Sequence, residues 1–239
     1  MLYKPADFDP GRRYPVIDFI YAGPFTTIVP NTYAPSSSMS VRAQAMAQLG
    51  FITFIVDCRG TTQRGKAFQD ASFGRIGQIE IPDHVVTLRQ LAENRPYMNL
   101  DRVGIFGASW GGYFALRAML TAPDVFHVGI AGAPGDLTEA QPINEPYMGL
   151  PQDNPEGYAA GSNPALARNL RGKLLIFHGT ADRNAPFSTT MRMSEAPIRA
   201  GKLHDLAVLP QGDHYLRDHN GPYVAKLIIS YFDEHLKRQ

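Results

Sequence analysis

Cysteine and tryptophan each occur once in this 239-residue chain, as Cys58 and Trp110. A lone thiol closes no internal disulfide, and one thiol with seven histidines argues against a structural zinc site. Charge of either sign is scarce. The 23 Lys and Arg against 22 Asp and Glu leave a net charge of +1, and charged residues make up 19% of the chain. That gives no surplus to grip a polyanion, so nucleic acid and anionic membrane are excluded as first partners. No apolar run approaches the roughly 18 residues of a membrane span. The opening Met-Leu-Tyr-Lys-Pro has neither the cationic nor the apolar stretch of an export signal. The expectation is a soluble, cytoplasmic chain. Its 44% hydrophobic content suits one domain over 1–239 that buries roughly 70–75% of its unfolded surface without metal or disulfide staples.

What is there is alternation. Short apolar runs at 14–21, 51–58, 103–107, 128–133, 174–178 and 206–209 are bounded by Gly, Pro, Asp or Asn and mostly do not alternate with polar residues. Strands buried on both faces read this way. Helical patterns at 39–49, 82–94, 110–121, 188–200 and 223–236 separate most of them, with Pro197 arguing for a kink or early end in the fourth. The first 40 residues outside 14–21, and the stretch 134–164, are rich in Pro, Gly, Asn and Ser and read as loops. Strand–helix alternation implies an α/β fold with a mostly parallel, doubly wound sheet. Ligands of such sheets sit beyond the carboxyl ends of the strands.

The strongest chemical signal is Gly107-Ala108-Ser109-Trp110-Gly111-Gly112. G-x-S-x-G alone is weak. Here it follows Val103-Gly104-Ile105-Phe106 and precedes Tyr113-Phe114-Ala115-Leu116, which puts Ser109 on a strand-to-helix elbow. A serine nucleophile needs a general base, and the base needs a third group to orient it. In α/β-hydrolases the order is Ser, acid, His. Asp182 and Asp136 are the downstream acids at strand ends, and Asp182 fits better because Asp136 follows the strand next after the nucleophile. Among the later histidines, His204 precedes the last strand and His235 lies on the final helical turn. His214 sits just past a strand end, with His219 as its rival. His178 precedes the acid and reads as a supporting residue.

Several segments together resemble the catalytic domain of the prolyl oligopeptidase family, most closely its dipeptidyl-peptidase-IV-like branch. They are Tyr21-Ala22-Gly23-Pro24, Asp57-Cys58-Arg59-Gly60, the Ser109 elbow through Tyr113, Glu145-Pro146-Tyr147-Met148-Gly149-Leu150-Pro151, His178-Gly179-Thr180-Ala181-Asp182 and Asp213-His214. The resemblance implies an α/β-hydrolase fold and a triad of Ser109, Asp182 and His214. It further implies an oxyanion hole made by the Tyr21 hydroxyl and the Trp110 backbone N–H. Trp110 and Asn184 are then expected to touch substrate, and no cofactor or metal is implied.

Two departures qualify the resemblance. The family's N-terminal β-propeller is not in this sequence, and residues 1–14 read as a hairpin entered partway. An edge of the sheet left open in this way is expected to be covered by these residues or to recruit a second copy of the chain. The family's aromatic proline pocket draws on a segment that here reads Gly135-Asp136-Leu137-Thr138-Glu139-Ala140-Gln141, without an aromatic. Trp110 is thus expected to be its remaining aromatic wall. The expected substrate is a small peptide, with a small carboxylic ester as the alternative.

Overall fold

The computed structural model describes residues 1–32, 34–35, 37–137 and 142–237. Seven strands form one sheet: β1 (Leu2–Tyr3), β2 (Tyr14–Phe19), β3 (Ile52–Phe54), β4 (Met98–Ala108), β5 (Val128–Gly132), β6 (Lys173–Gly179) and β7 (Asp205–Leu209). They lie in the order β1-β3-β2-β4-β5-β6-β7. Every pair is parallel except β1 with β3, where Leu2 faces Phe54 and Tyr3 faces Thr53. The helices are α1 (Ser38–Gln48), α2 (Lys66–Gln69), α3 (Glu80–Glu93), α4 (Trp110–Thr121), α5 (Glu145–Met148), α6 (Pro155–Gly161), α7 (Phe187–Arg199) and α8 (Asn220–Phe232).

The unbroken apolar runs follow from burial on both faces. In β2, Val16 packs with Ile52, Val103 and Ile105 on one face, where α3, α4 and α7 contribute Ile81, Leu88, Phe114 and Met193. The next residue, Ile17, joins Phe19, Phe106 and Ile130 on the other face, against Met39 and Met46 of α1 and Val224 and Phe232 of α8. Fully burying each such side chain contributes about 1.5–3 kcal/mol. The central strands therefore tolerate few polar residues. An exception is Asp18 on β2, fully buried and 2.7 Å from His84 Nδ1 on α3. Burial alone would lower the His84 pKa, but the Asp18 carboxylate raises it to about 10. This ion pair fastens α3 to the strand that leads to Tyr21.

The helical periods hold to within a few residues, with local differences. The stretch 134–164, read as loop, contains α5 and α6. Asn154 caps α6, its side-chain oxygen accepting from Gly157 N at 3.1 Å, and Pro155 fills the first helical position. An Asn-Pro pair therefore opens a helix in a segment whose composition suggests none. Pro197 lies inside α7, which runs on to Arg199, so it does not end the helix early. The helix α8 begins at Asn220 and passes into a π-helical turn, Asp233–Lys237. Among the described residues no helix is long and apolar enough to cross a membrane.

Candidate active site

The loops leaving β2, β4, β5, β6 and β7 converge on a cavity of about 790 Å³ lined by Tyr21, Ser109, Trp110, Asn184 and His214, among others. The strand-to-helix elbow at its floor is tight. Ser109 has φ 59° and ψ −121°, a left-handed conformation that costs a non-glycine residue about 1–3 kcal/mol. Its neighbours pin it there: Ser109 N donates to Gly132 O at 2.9 Å, and Tyr113 N donates to Ser109 O at 3.1 Å. The flanking glycines are a packing requirement. A Cβ on Gly107 would lie 2.1 Å from Gly111 O, and one on Gly111 would lie 2.3 Å from Ile20 O. Ser109 gives α4 no side-chain cap, so the orphan N–H groups of the first turn, that of Trp110 included, lie at the positive end of the helix.

Asp182, on the loop after β6, is the electrostatic centre. Its side chain is fully buried. Its Oδ1 accepts from Asn184 N at 2.8 Å and Ala185 N at 2.9 Å. Its Oδ2 lies 2.6 Å from His214 Nδ1 and 3.1 Å from His178 Nε2. A carboxylate only accepts, so His214 carries its proton on Nδ1 and leaves Nε2 free to take another. The His214 side chain stays 12% exposed, open to the cavity.

His178 has the complementary tautomer. Its Nε2 faces two acceptors, Asp182 Oδ2 and Ala185 O (3.0 Å), so that nitrogen holds the proton. Its Nδ1 then accepts from the Thr190 hydroxyl at 2.7 Å. Burial lowers the His178 pKa against the pull of Asp182, which keeps the ring neutral. The supporting position read from the sequence therefore has a definite content: His178 is a buried donor to the carboxylate that holds His214. Asp136, the rival of Asp182 as the acid, also lines the cavity and lies 3.9 Å from Arg192. His219 stands at the N-cap of α8, outside the cavity lining.

Tyr21 follows β2 by two residues and is held by the sharp backbone of Ala22, φ 53°. Burial raises the pKa of its hydroxyl, opposed by a hydrogen bond with the Ser109 side chain. The phenol therefore keeps its proton and remains a donor beside the serine. The aromatic wall is larger than Trp110 alone. The Trp110 ring lies 6.0 Å from Tyr147 and 6.4 Å from Phe25, and Phe25 lies 6.0 Å from Tyr147. Tyr147 lies in the Glu145–Pro151 segment, outside 135–141, so the local composition of 135–141 gives no sign of this aromatic. Of that segment, residues 138–141 lie outside the described residues, while Gly135 and Asp136 line the cavity. Among the described residues no group of three or more His, Cys, Asp or Glu is arranged to hold a metal ion.

The family model described as "Prolyl oligopeptidase family" matches residues 37–239. The chain belongs to the prolyl oligopeptidase family. It is 38% identical over 242 residues to dipeptidyl peptidase 8 of Mus musculus, covering 99% of this chain and 27% of that protein. It is 33% identical over 224 residues to a probable dipeptidyl-aminopeptidase B of Talaromyces marneffei, covering 91% of this chain and 24% of that protein. Among solved structures, a putative dipeptidyl aminopeptidase IV from Bacteroides ovatus superposes with a TM-score of 0.92 at 34% identity, over 98% of this chain and 33% of that one. Porphyromonas gingivalis dipeptidyl peptidase 4 gives 0.89 at 30%, with the same coverages. Prolyl oligopeptidase relatives thus share the α/β-hydrolase domain along essentially the whole of this chain, which spans about a quarter to a third of their length.

Proposed function

We propose that this chain is a serine hydrolase that cleaves peptide bonds by acyl transfer, with Ser109 as nucleophile, His214 as general base and Asp182 as the group that orients it. The observation that carries this reading is the 2.6 Å contact between His214 Nδ1 and the buried Asp182 carboxylate, in a cavity that also holds the strained Ser109 elbow. His214 Nε2 takes the Ser109 proton as Oγ attacks the scissile carbonyl. The negative charge that develops on the carbonyl oxygen is met by the Tyr21 hydroxyl and the Trp110 N–H. The imidazolium formed is stabilised by Asp182, then returns its proton to the leaving nitrogen as the C–N bond breaks. Water, deprotonated by the same Nε2, attacks the acyl-enzyme and frees Ser109.

Trp110, with Tyr147 beside it, offers the acyl side an apolar wall, and Asn184 offers a polar contact. The names of the relatives support release of dipeptides from peptide amino termini as the substrate class. The test is turnover of a Gly-Pro p-nitroanilide together with labelling by a fluorophosphonate. Stoichiometric labelling and anilide cleavage, both lost in Ser109→Ala with the fold retained, are expected. Labelling without cleavage of any peptide or anilide would refute the peptidase assignment, and labelling that survives Ser109→Ala would refute the nucleophile.

A further inference from the structure

Between Asp18 and Asp57 the sequence contains a single charged residue, Arg42. It stands on α1 and lines the active-site cavity. The segment has no acid to offer it, and no carboxylate pairs with it among the described residues. Asp57, the acid that closes this segment, is engaged with the loop backbone, accepting from Ile28 N at 2.8 Å and Val29 N at 3.2 Å. Arg42 remains an exposed residue, and the protein packed beside its guanidinium lowers its pKa.

The cavity straddles the crest of the sheet, and its two halves belong to different cores. Trp110, Tyr113 and Tyr147 pack with the core on the α4 face. Tyr21, Ile28, Met39 and Leu216 pack with the core on the α1 and α8 face. His214 lies two residues before Leu216, on the loop that leads into α8. The fragment that departs must take its proton from His214, so it occupies the half of the cavity lined by Ile28, Met39 and Leu216. Arg42 is the one permanently charged side chain of that half among the described residues.

We propose that Arg42 anchors a carboxylate on the leaving fragment, so that the chain favours short peptides with a free C-terminus over capped ones. This rests on the assignment of His214 as the proton donor to the leaving group. An arginine meets a carboxylate with paired, charge-assisted N–H bonds that a neutral carboxamide does not reproduce. Such bonds correspond to roughly a 10- to 100-fold preference.

The experiment compares Gly-Pro-Ala with Gly-Pro-Ala amide, and Gly-Pro-Ala-Ala with its amide, in the wild type, Arg42→Gln and Arg42→Lys. The wild type should prefer the acids by about tenfold or more in kcat/KM. Arg42→Gln should bring the acid-to-amide ratio close to one, and Arg42→Lys should keep part of it. A merely structural role for Arg42 would lower both members of a pair together and leave the ratio unchanged, which would overturn the proposal. Gly-Pro-Asp amide separates a side-chain carboxylate from a terminal one, and an equal advantage for it would overturn the preference for a free C-terminus. Binding of the same pairs, read by Trp110 fluorescence in Ser109→Ala with and without Arg42→Gln, keeps the test independent of turnover. Equal binding of acid and amide overturns the Arg42 site, whereas failure of fluorophosphonate labelling overturns the catalytic reading.

Discussion

Glu80 offers a perturbation whose size follows from the structure. It opens α3, is 1% exposed, and its Oε2 accepts from Gly77 N at 2.9 Å and Ile79 N at 3.2 Å. Gly77 O in turn accepts from Arg117 Nε at 2.7 Å, and Arg117 on α4 also holds Ala160 O of α6. This network braces the helix whose first residue is Trp110. Burial raises the Glu80 pKa from 4.5 to about 7, although the backbone donors and Arg117 pull the other way. The unfolded chain releases this proton near 4.5 and the folded chain near 7. Between those values the folded state binds more protons, so stability falls as pH rises through the window. At about 1.36 kcal/mol per pH unit, the ionised folded form is penalised by about 3 kcal/mol at pH 8. Glu80→Gln keeps the accepting oxygen and removes the charge. Urea denaturation of both proteins from pH 4 to pH 8.5 should therefore give similar stabilities at the acid end. The variant should then gain progressively, by about 3 kcal/mol above pH 7. Parallel stability curves across the whole range would refute the reasoning.

Triad members act as a unit, so His214→Ala should lose nearly all turnover while His219→Ala keeps most of it, as measured by steady-state cleavage of a Gly-Pro anilide; reversed phenotypes would move the base to His219. Tyr21→Phe removes a hydroxyl and little volume. It should cost about 2.7–4 kcal/mol, or roughly 10²–10³ in kcat, with a small change in KM, and a loss under about threefold would leave Tyr21 a packing residue. His178→Ala removes one of four donors to the Asp182 carboxylate. It should lower kcat by about tenfold or more while fluorophosphonate still labels Ser109 slowly, and undiminished kcat would make His178 a core residue only. Gly107→Ala drives a Cβ to 2.1 Å from Gly111 O. It should destabilise the fold by at least about 1–3 kcal/mol in thermal unfolding, and an unchanged melting temperature would contradict the tight elbow.

The class of fold is legible in the order of residues, because strands buried on both faces must be apolar throughout and their helices must carry a stripe. So are the candidate residues Ser109, Asp182 and His214, because each lies just past a strand end and the strand ends of a parallel sheet all meet at one side. Other features depend on residues distant in the chain and emerge only when the chain is packed. One is the meeting of His178, Thr190 and Asp182: a histidine at the end of a buried run looks the same whether it packs or donates until the opposite hydroxyl and carboxylate are in place. Another is the aromatic wall, where Tyr147 reaches Trp110 from a short helix hidden in a loop-like composition. The division of the cavity is a third. Nothing local in Thr27-Ile28 or Ser38-Met39 tells that they face the cavity with His214, because that follows from α1 and α8 covering the same face of the sheet. Arg42 shows both levels at once: its isolation among uncharged residues is a fact of sequence, and its place in the lining of the cavity is a fact of packing.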